Sequence, residues 1–283
     1  MRLPVSIVNA CVRDGTGGSP TAVLEADPTG ADLPEALDFA LRPDRFGTSH
    51  VVVLTRPPAA ASPVDLRFFT TDGELPACGH GTVAALAWLA GRHPGGEQEF
   101  TLRVSGRTFP GRTVRDGDLV QAHFDPGPIT SRAATPAETE CMTTALKLTP
   151  DRTSSARPRA VIATLGRPRM LLPIASTTAL AALTPDLTQL RETCDRLGLL
   201  GCYVHSPPSG TGRVAARMFA PSIGVPEDIA NANSTACLAA QGFIDLTVDL
   251  GDALGHPATI TTSTRPGPRV LVGGTALLPA QAR

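Results

Sequence analysis

Lysine and aromatic rings are scarce in this chain. Of 25 basic residues only Lys147 is a lysine, and Phe, Trp and Tyr together make 4% of the sequence. The formal net charge is −1. Without a basic excess or rings on which bases could stack, no nucleic-acid partner is expected. Long apolar runs are missing too. None approaches the roughly 20 residues of a membrane helix, and the longest helical candidate, Val83–Leu89, has the size of a core element. The opening "MRLPVSIVNACVRDG" is broken by Pro4, Ser6 and Asn9 and alternates like a strand, so it does not read as a signal peptide. The cysteines (Cys11, Cys78, Cys141, Cys194, Cys202 and Cys237) are scattered and contain no C-x-x-C pair. Neither a disulfide framework nor a structural zinc site is expected, and reduced thiols in a cytoplasmic protein are the simplest reading.

What the chain does contain is punctuated strand-like runs, enough in 283 residues for one large domain or two moderate ones. Strands are expected around Val5–Val8, Thr21–Leu24, His50–Leu54, Leu66–Thr70, Glu99–Val104, Leu119–His123, Val161–Thr164, Met170–Pro173, Cys202–His205, Val214–Phe219 and Val270–Val272. Helical patterns run near Leu33–Leu41, Gly81–Ala90, Leu187–Leu197 and Ser234–Ile244. This order predicts a mixed α/β chain with mostly antiparallel strands. There is also an internal echo. "RFFTTDGELPACGHGTVAALA" begins at Arg67 and "RMFAPSIGVPEDIANANSTACLAA" at Arg217. Each ends a strand in Arg-x-Phe, turns through a loop bearing an acid, and opens an Ala-rich helix. A duplicated unit with two helix N-termini facing one cleft is expected, with a linker in the Pro-rich stretch Phe124–Glu138.

Helix N-termini present unpaired N–H groups and the positive end of the macrodipole, which attract carboxylates and favour a thiolate. Cys78, with Gly79 and Gly81 allowing close backbone approach, is therefore a candidate for a reactive, accessible thiol. The bland alternative is a buried cysteine acting as a small hydrophobe. His80 could cap or pack as readily as catalyse. His50, whose ordinary pKa of about 6.5 suits a general base, is a further candidate. Glu74 and Glu227 read as turn supports. No clustered ligands at metal spacing and no Gly-rich dinucleotide turn are found, so neither a metal nor an organic cofactor is expected.

At this point a family likeness becomes visible. "FFTTDGELPACGHGTVAALAWL" resembles the first signature of the PhzF-like isomerases, and "RMFAPSIGVPEDIANANSTACLA" resembles their second. "DGTGGSPTAVL" is similar to their N-terminal loop and strand, and "STTALAALTPDLTQLRETCDRLGLLGCYVHS" to the stretch after their central strands. The resemblance implies a diaminopimelate-epimerase-like α/β (α+β) fold. Two pseudo-symmetric halves, each a curved, mostly antiparallel sheet wrapped around a central helix, would enclose an active site between them. The expected halves are 1–125 and 126–272, with the strand 273–283 returning to the first. It further implies proton-transfer chemistry, without cofactor, on a small carboxylate-bearing substrate.

Carried over residue by residue, His80 matches the family's active-site histidine, Gly79 its backbone contact and Asp228 its second-signature aspartate. Asn233 stands where the family has a substrate-binding serine, and Gly81, Ala232 and Ser49 fall with Gly79 and Asn233 in the expected substrate-binding set. Two departures stand out. The family's proton-shuttling glutamate falls at Ser49, beside His50. Cys78 occupies a position where epimerases of this fold keep one of two catalytic thiols, yet no second thiol matches, since Cys237 lies a helical turn beyond Asn233. Cys78 is expected to stand in for the missing glutamate, with His50 as the rival base. The expected function is an isomerase that shifts a double bond on a small amino-acid-like acid in specialised metabolism, such as an alkylproline-type precursor. A one-thiol racemase or a non-catalytic carboxylate-binding relative are the alternatives, and a homodimer is left open.

Overall fold

A computed structural model describes residues 4–26, 42–56, 62–148, 159–243, 245–265 and 269–279. The helix expected at Leu33–Leu41 lies outside the described residues. Val5–Val12 turns through Asp14 and Gly15, both at positive φ, and pairs antiparallel with Ser19–Ala26. Ser19–Ala26 runs parallel to His50–Thr55, which pairs antiparallel with Val64–Thr70. Next, Gly96–Val104 and Arg107–Asp116 form a hairpin whose tip, Ser105–Gly106, has both φ values positive, as a tight two-residue turn requires. Leu119–Phe124 follows antiparallel.

The sheet curves around a first central helix, Gly79–Ala90, in which all twelve residues are buried. A helix with hydrophobic residues all round, here from Val83 to Ala90, has no face for water and belongs inside. Thr130–Ala133, Val161–Leu165, Arg167–Pro173, Cys202–His205, Arg213–Ala220 and Val225–Asp228 pair in succession around the second central helix, Ala232–Ala239, likewise wholly buried. Thr247–Leu250 joins Arg213–Ala220 in parallel and leads into Ala258–Arg265. Arg269–Leu277 then pairs with Ala258–Arg265, with Leu119–Phe124 and with Val5–Val12, so the strands close into one continuous sheet.

The echo persists in three dimensions. Arg67 lies over the Phe69 ring (5.1 Å) and pairs with Glu74 at 2.7 Å; Arg217 lies over Phe219 (4.9 Å) and pairs with Glu227 at 2.7 Å. Glu74 and Glu227 are thus struts of their loops, as the sequence indicates. Arg107–Asp116 and Ala258–Arg265 are strands that the pattern does not announce. Pro110 and Gly111 read as breakers in the former, but a Cβ on Gly111 would lie 2.5 Å from Leu86 Cδ2 of the first central helix. The glycine is there to admit the helix. The Pro-rich stretch Phe124–Glu138 contains a strand and a capping box, in which Thr135 and Glu138 satisfy each other's backbone N–H groups.

Candidate active site

The two central helices meet at their N-termini. A Cβ on Gly79 would stand 2.6 Å from Ala232 Cβ and 3.0 Å from the Asn233 nitrogen. Cys78 is the N-cap of the first helix, held in extended conformation (φ −141°, ψ 115°), while its carbonyl accepts from both Thr82 N–H (3.0 Å) and Thr82 Oγ1 (2.8 Å). Its side chain is free of capping duty and turns inward. At the second helix, Asn231 Oδ1 accepts from Ser234 N–H (2.9 Å), so the cap is formed by Asn231 and not by Asn233.

Between these ends four titratable groups converge. Cys78 Sγ lies 3.6 Å from His80 Nε2 and 3.9 Å from its Nδ1. Asp228 Oδ2 is 3.9 Å from His80 Nδ1. The His50 and His80 rings meet edge to face with centroids 4.3 Å apart. Asp228 is itself held by Asn231 Nδ2 (2.9 Å) and Ala230 N–H (3.4 Å). With the sulfur nearly equidistant from both ring nitrogens, the Cys78–His80 contact is not a linear N–H···S bond.

Their charge states diverge. Burial pulls the His80 pKa down, but the Cys78 and Asp228 charges, with hydrogen bonds to Cys78 and the Ala230 backbone, outweigh it and push it up to about 9. His50 is driven the other way, first by burial and then by the charge on His80, so it stays neutral. Burial raises Asp228, and His80, Asn231 and the Ala230 N–H hold part of that rise back.

These groups line a cavity of about 40 Å³, together with Gly79, Asn233 and Arg169. A second chamber of about 240 Å³ adjoins it, sharing Cys78 and Asn233 and walled by Phe68, Val104, Phe109 and Phe124. Of the substrate-binding set, Gly79 and Asn233 face the polar cavity. The other three are absent from its lining. Ser49 Oγ sits 2.9 Å from His50 Nδ1 and orients that ring. Gly81 makes room for the Phe68 ring and Cys78 Sγ. Ala232 packs on Gly79. The thiol expected to be accessible is only 6% exposed, because the cavity mouth and not bulk water lies in front of it.

The sequence reading missed Arg169, Asn231 and Cys11. Cys11 is buried at φ +61°, and burial, Asp228 and Cys78 in that order raise its thiol pKa. His50, Cys78 and His80 bring ligand atoms within 4.8 Å of one another, an N₂S set that could hold a soft divalent ion. Cys78 and His80 are near neighbours in the chain, and only the remote His50 is out of reach of spacing rules.

The sequence matches the family described as Phenazine biosynthesis-like protein over residues 10–281. The chain belongs to that family. An uncharacterized isomerase of Deinococcus radiodurans is 32% identical over 210 residues, covering 69% of this chain and 67% of that protein. Among solved structures, a "predicted epimerase" from Pseudomonas aeruginosa superposes with a TM-score of 0.79 at 26% identity, covering 99% and 98% of the two chains. A PhzF-family phenazine biosynthesis protein of Bacillus anthracis superposes at 0.80 with 14% identity, covering 98% and 97%, and so shares the fold. Family membership, with curated relatives named isomerases, makes this chain an isomerase. No described helix is long and apolar enough to cross a membrane.

Proposed function

We propose that the chain is a cofactor-independent isomerase in which Cys78 is the base that moves a proton on a small amino-acid-like carboxylic acid, shifting a carbon–carbon double bond. One observation carries this reading: the buried Cys78–His80–Asp228 constellation at the junction of two helix N-termini. His80, 3.6 Å from the sulfur, is held protonated, and Asp228 holds the imidazole in place. The Cys78 thiolate takes a proton from the carbon next to the double bond. That C–H electron pair becomes the new double bond, and the old double-bond pair accepts the proton at the far carbon. Charge developing on the substrate carboxylate during transfer faces the N–H groups at the start of both helices, where it is stabilised most. His50, neutral and fixed by Ser49, packs against His80.

The replacement of the family's glutamate by Ser49 supports a substrate other than that of the phenazine pathway. An acid of antibiotic or pigment biosynthesis, such as an alkylproline-type precursor, is our reading. The test is a panel of unsaturated amino and imino acids in deuterated water, followed by NMR for deuterium uptake and by ultraviolet absorbance for a moved double bond. Cys78→Ala should lose about 10² to 10⁴ in turnover, the usual scale for a general base, while His50→Ala should be milder. A fully active Cys78→Ala with an inactive His50→Ala would make His50 the base. Exchange with inversion at Cα and no shifted double bond would make the enzyme a racemase.

A further inference from the structure

Arg169 stands in the strand Arg167–Pro173, whose last five residues are all buried, and it is itself only 2% exposed. A guanidinium has five N–H donors and no acceptor. Nη2 donates to the carbonyls of Leu165 and Arg167, both at 2.6 Å, and Nη1 reaches Ser234 Oγ at 3.5 Å. Nε is buried with no partner, and Arg169 forms no ion pair among the described residues. Its neighbourhood makes matters worse. Ser234 belongs to the first turn of the second central helix, so the cation lies against the positive end of a helix dipole. Burial lowers the Arg169 pKa and the Arg167 charge adds to it, with Cys237 opposing them in part. A buried, uncompensated charge is strongly unfavourable, and proteins keep one only where something pairs with it. Arg169 lines the same cavity as Cys78, His80 and Asp228. The anion that would compensate it can therefore reach it from the site of proton transfer.

We propose that Arg169 binds the carboxylate of the substrate, its free Nε–H and the second-helix N-terminus together forming the anion site. This rests on the reading of the cavity as the substrate site and adds the group that recognises the acid. The reactive carbon of a small monocarboxylic acid anchored there faces Cys78. The rival explanation is a strut, in which Arg169 does no more than satisfy the Leu165 and Arg167 carbonyls at the hairpin.

Crotonate, a small unsaturated acid, and crotonamide, its uncharged isostere, separate the two. Calorimetric titration at fixed ionic strength should show wild-type protein preferring crotonate. Arg169→Met should weaken crotonate about 10- to 100-fold, the fold-change of a lost charge-assisted hydrogen bond, and leave crotonamide unaffected. Arg169→Lys should restore part of the preference for the acid. A crystal of wild-type protein soaked in crotonate covers the case in which the variants do not fold, and should place a carboxylate oxygen within hydrogen-bond reach of Arg169 Nε. Equal binding of crotonate by wild type and folded Arg169→Met, or a carboxylate seated in the cavity away from Arg169, overturns the inference and leaves the isomerase reading intact. Crotonate absent from the cavity also overturns it. The assignment of Cys78 as the base fails separately, by deuterium exchange that survives Cys78→Ala.

Discussion

His50 and His80 share an edge-to-face contact yet carry opposite charge preferences, and this has a consequence for stability. His80 binds its proton more tightly folded than unfolded, with a pKa of about 9 against an ordinary 6.5. Its contribution is fully present below 6.5 and is lost as pH rises through about 9. His50 is lowered, so the folded state resists a proton that the unfolded chain accepts; stability falls as pH drops below its ordinary 6.5. Partly buried His123 and buried His205, both lowered by burial, add to that acid limb. Thermal unfolding from pH 5 to 10 should therefore peak near neutrality. His80→Asn should remove the alkaline loss below about pH 9, the buried thiols of Cys11, Cys194, Cys202 and Cys237 accounting for the loss above it, and His50→Asn part of the acid limb; an alkaline limb unchanged in His80→Asn would refute the assignment. At this scale the sequence carries the letters of the site but not their charges. The lettering around Cys78, His80 and Asp228 singles them out as candidates. That one histidine is charged and its neighbour neutral depends on which groups are buried together, which no local spacing encodes. Arg169 had only one local sign, a charge in an otherwise apolar run, and its missing partner is a fact of three dimensions.

Where the two central helices meet, the clearance is that of a missing methyl group. Gly79→Ala would drive a Cβ into Ala232 and Asn233 and force the helix starts apart. A destabilisation of about 1–3 kcal/mol is expected, the usual range for overpacking, with a loss of turnover larger than stability alone explains. Gly95→Ala, where the added Cβ meets its nearest neighbour at an ordinary 3.7 Å, is the control and should change neither. Activity and melting temperature unchanged in Gly79→Ala would mean the helix starts can separate without cost. Elements with self-contained signals were legible. Leu187–Leu197 has an Asp186 cap at one end and Gly198 in the left-handed region at the other, and its bounds match the pattern. Arg107–Asp116 was not legible, since its Gly111 answers to a leucine on a distant helix. The second central helix was expected from Ser234 but begins at Ala232, because Asn231 and not a later residue supplies the cap.

Across the whole molecule, Arg269–Leu277 decides how the chain is held together. It lies against Val5–Val12, Leu119–Phe124 and Ala258–Arg265, strands drawn from both ends of the sequence. Heat or denaturant should unfold the protein in a single transition, with fluorescence and circular dichroism coinciding. Removing the chain from Arg269 onward should abolish that transition and yield protein without fixed tertiary structure. Two separated transitions, or a truncated protein that melts cooperatively, would show that the sheet does not unify the fold. Arg-x-Phe and a loop acid repeat in the sequence, and the Arg–Glu pairs they form repeat in space; the pairing of this strand with distant segments follows from no local pattern.

The chamber of about 240 Å³ beside Cys78 takes its walls from Val104, Phe109 and Phe124, while the polar cavity takes its charged groups from the helix starts, Asp228 and Arg169. Shape and reactivity are therefore lodged in largely separate parts of the framework, which meet along Pro76–Cys78, Leu165–Gly166 and Asn233. A descendant of this chain could trade one of those hydrophobic walls for a smaller or larger one and admit a different molecule, with its acid–base equipment inherited whole.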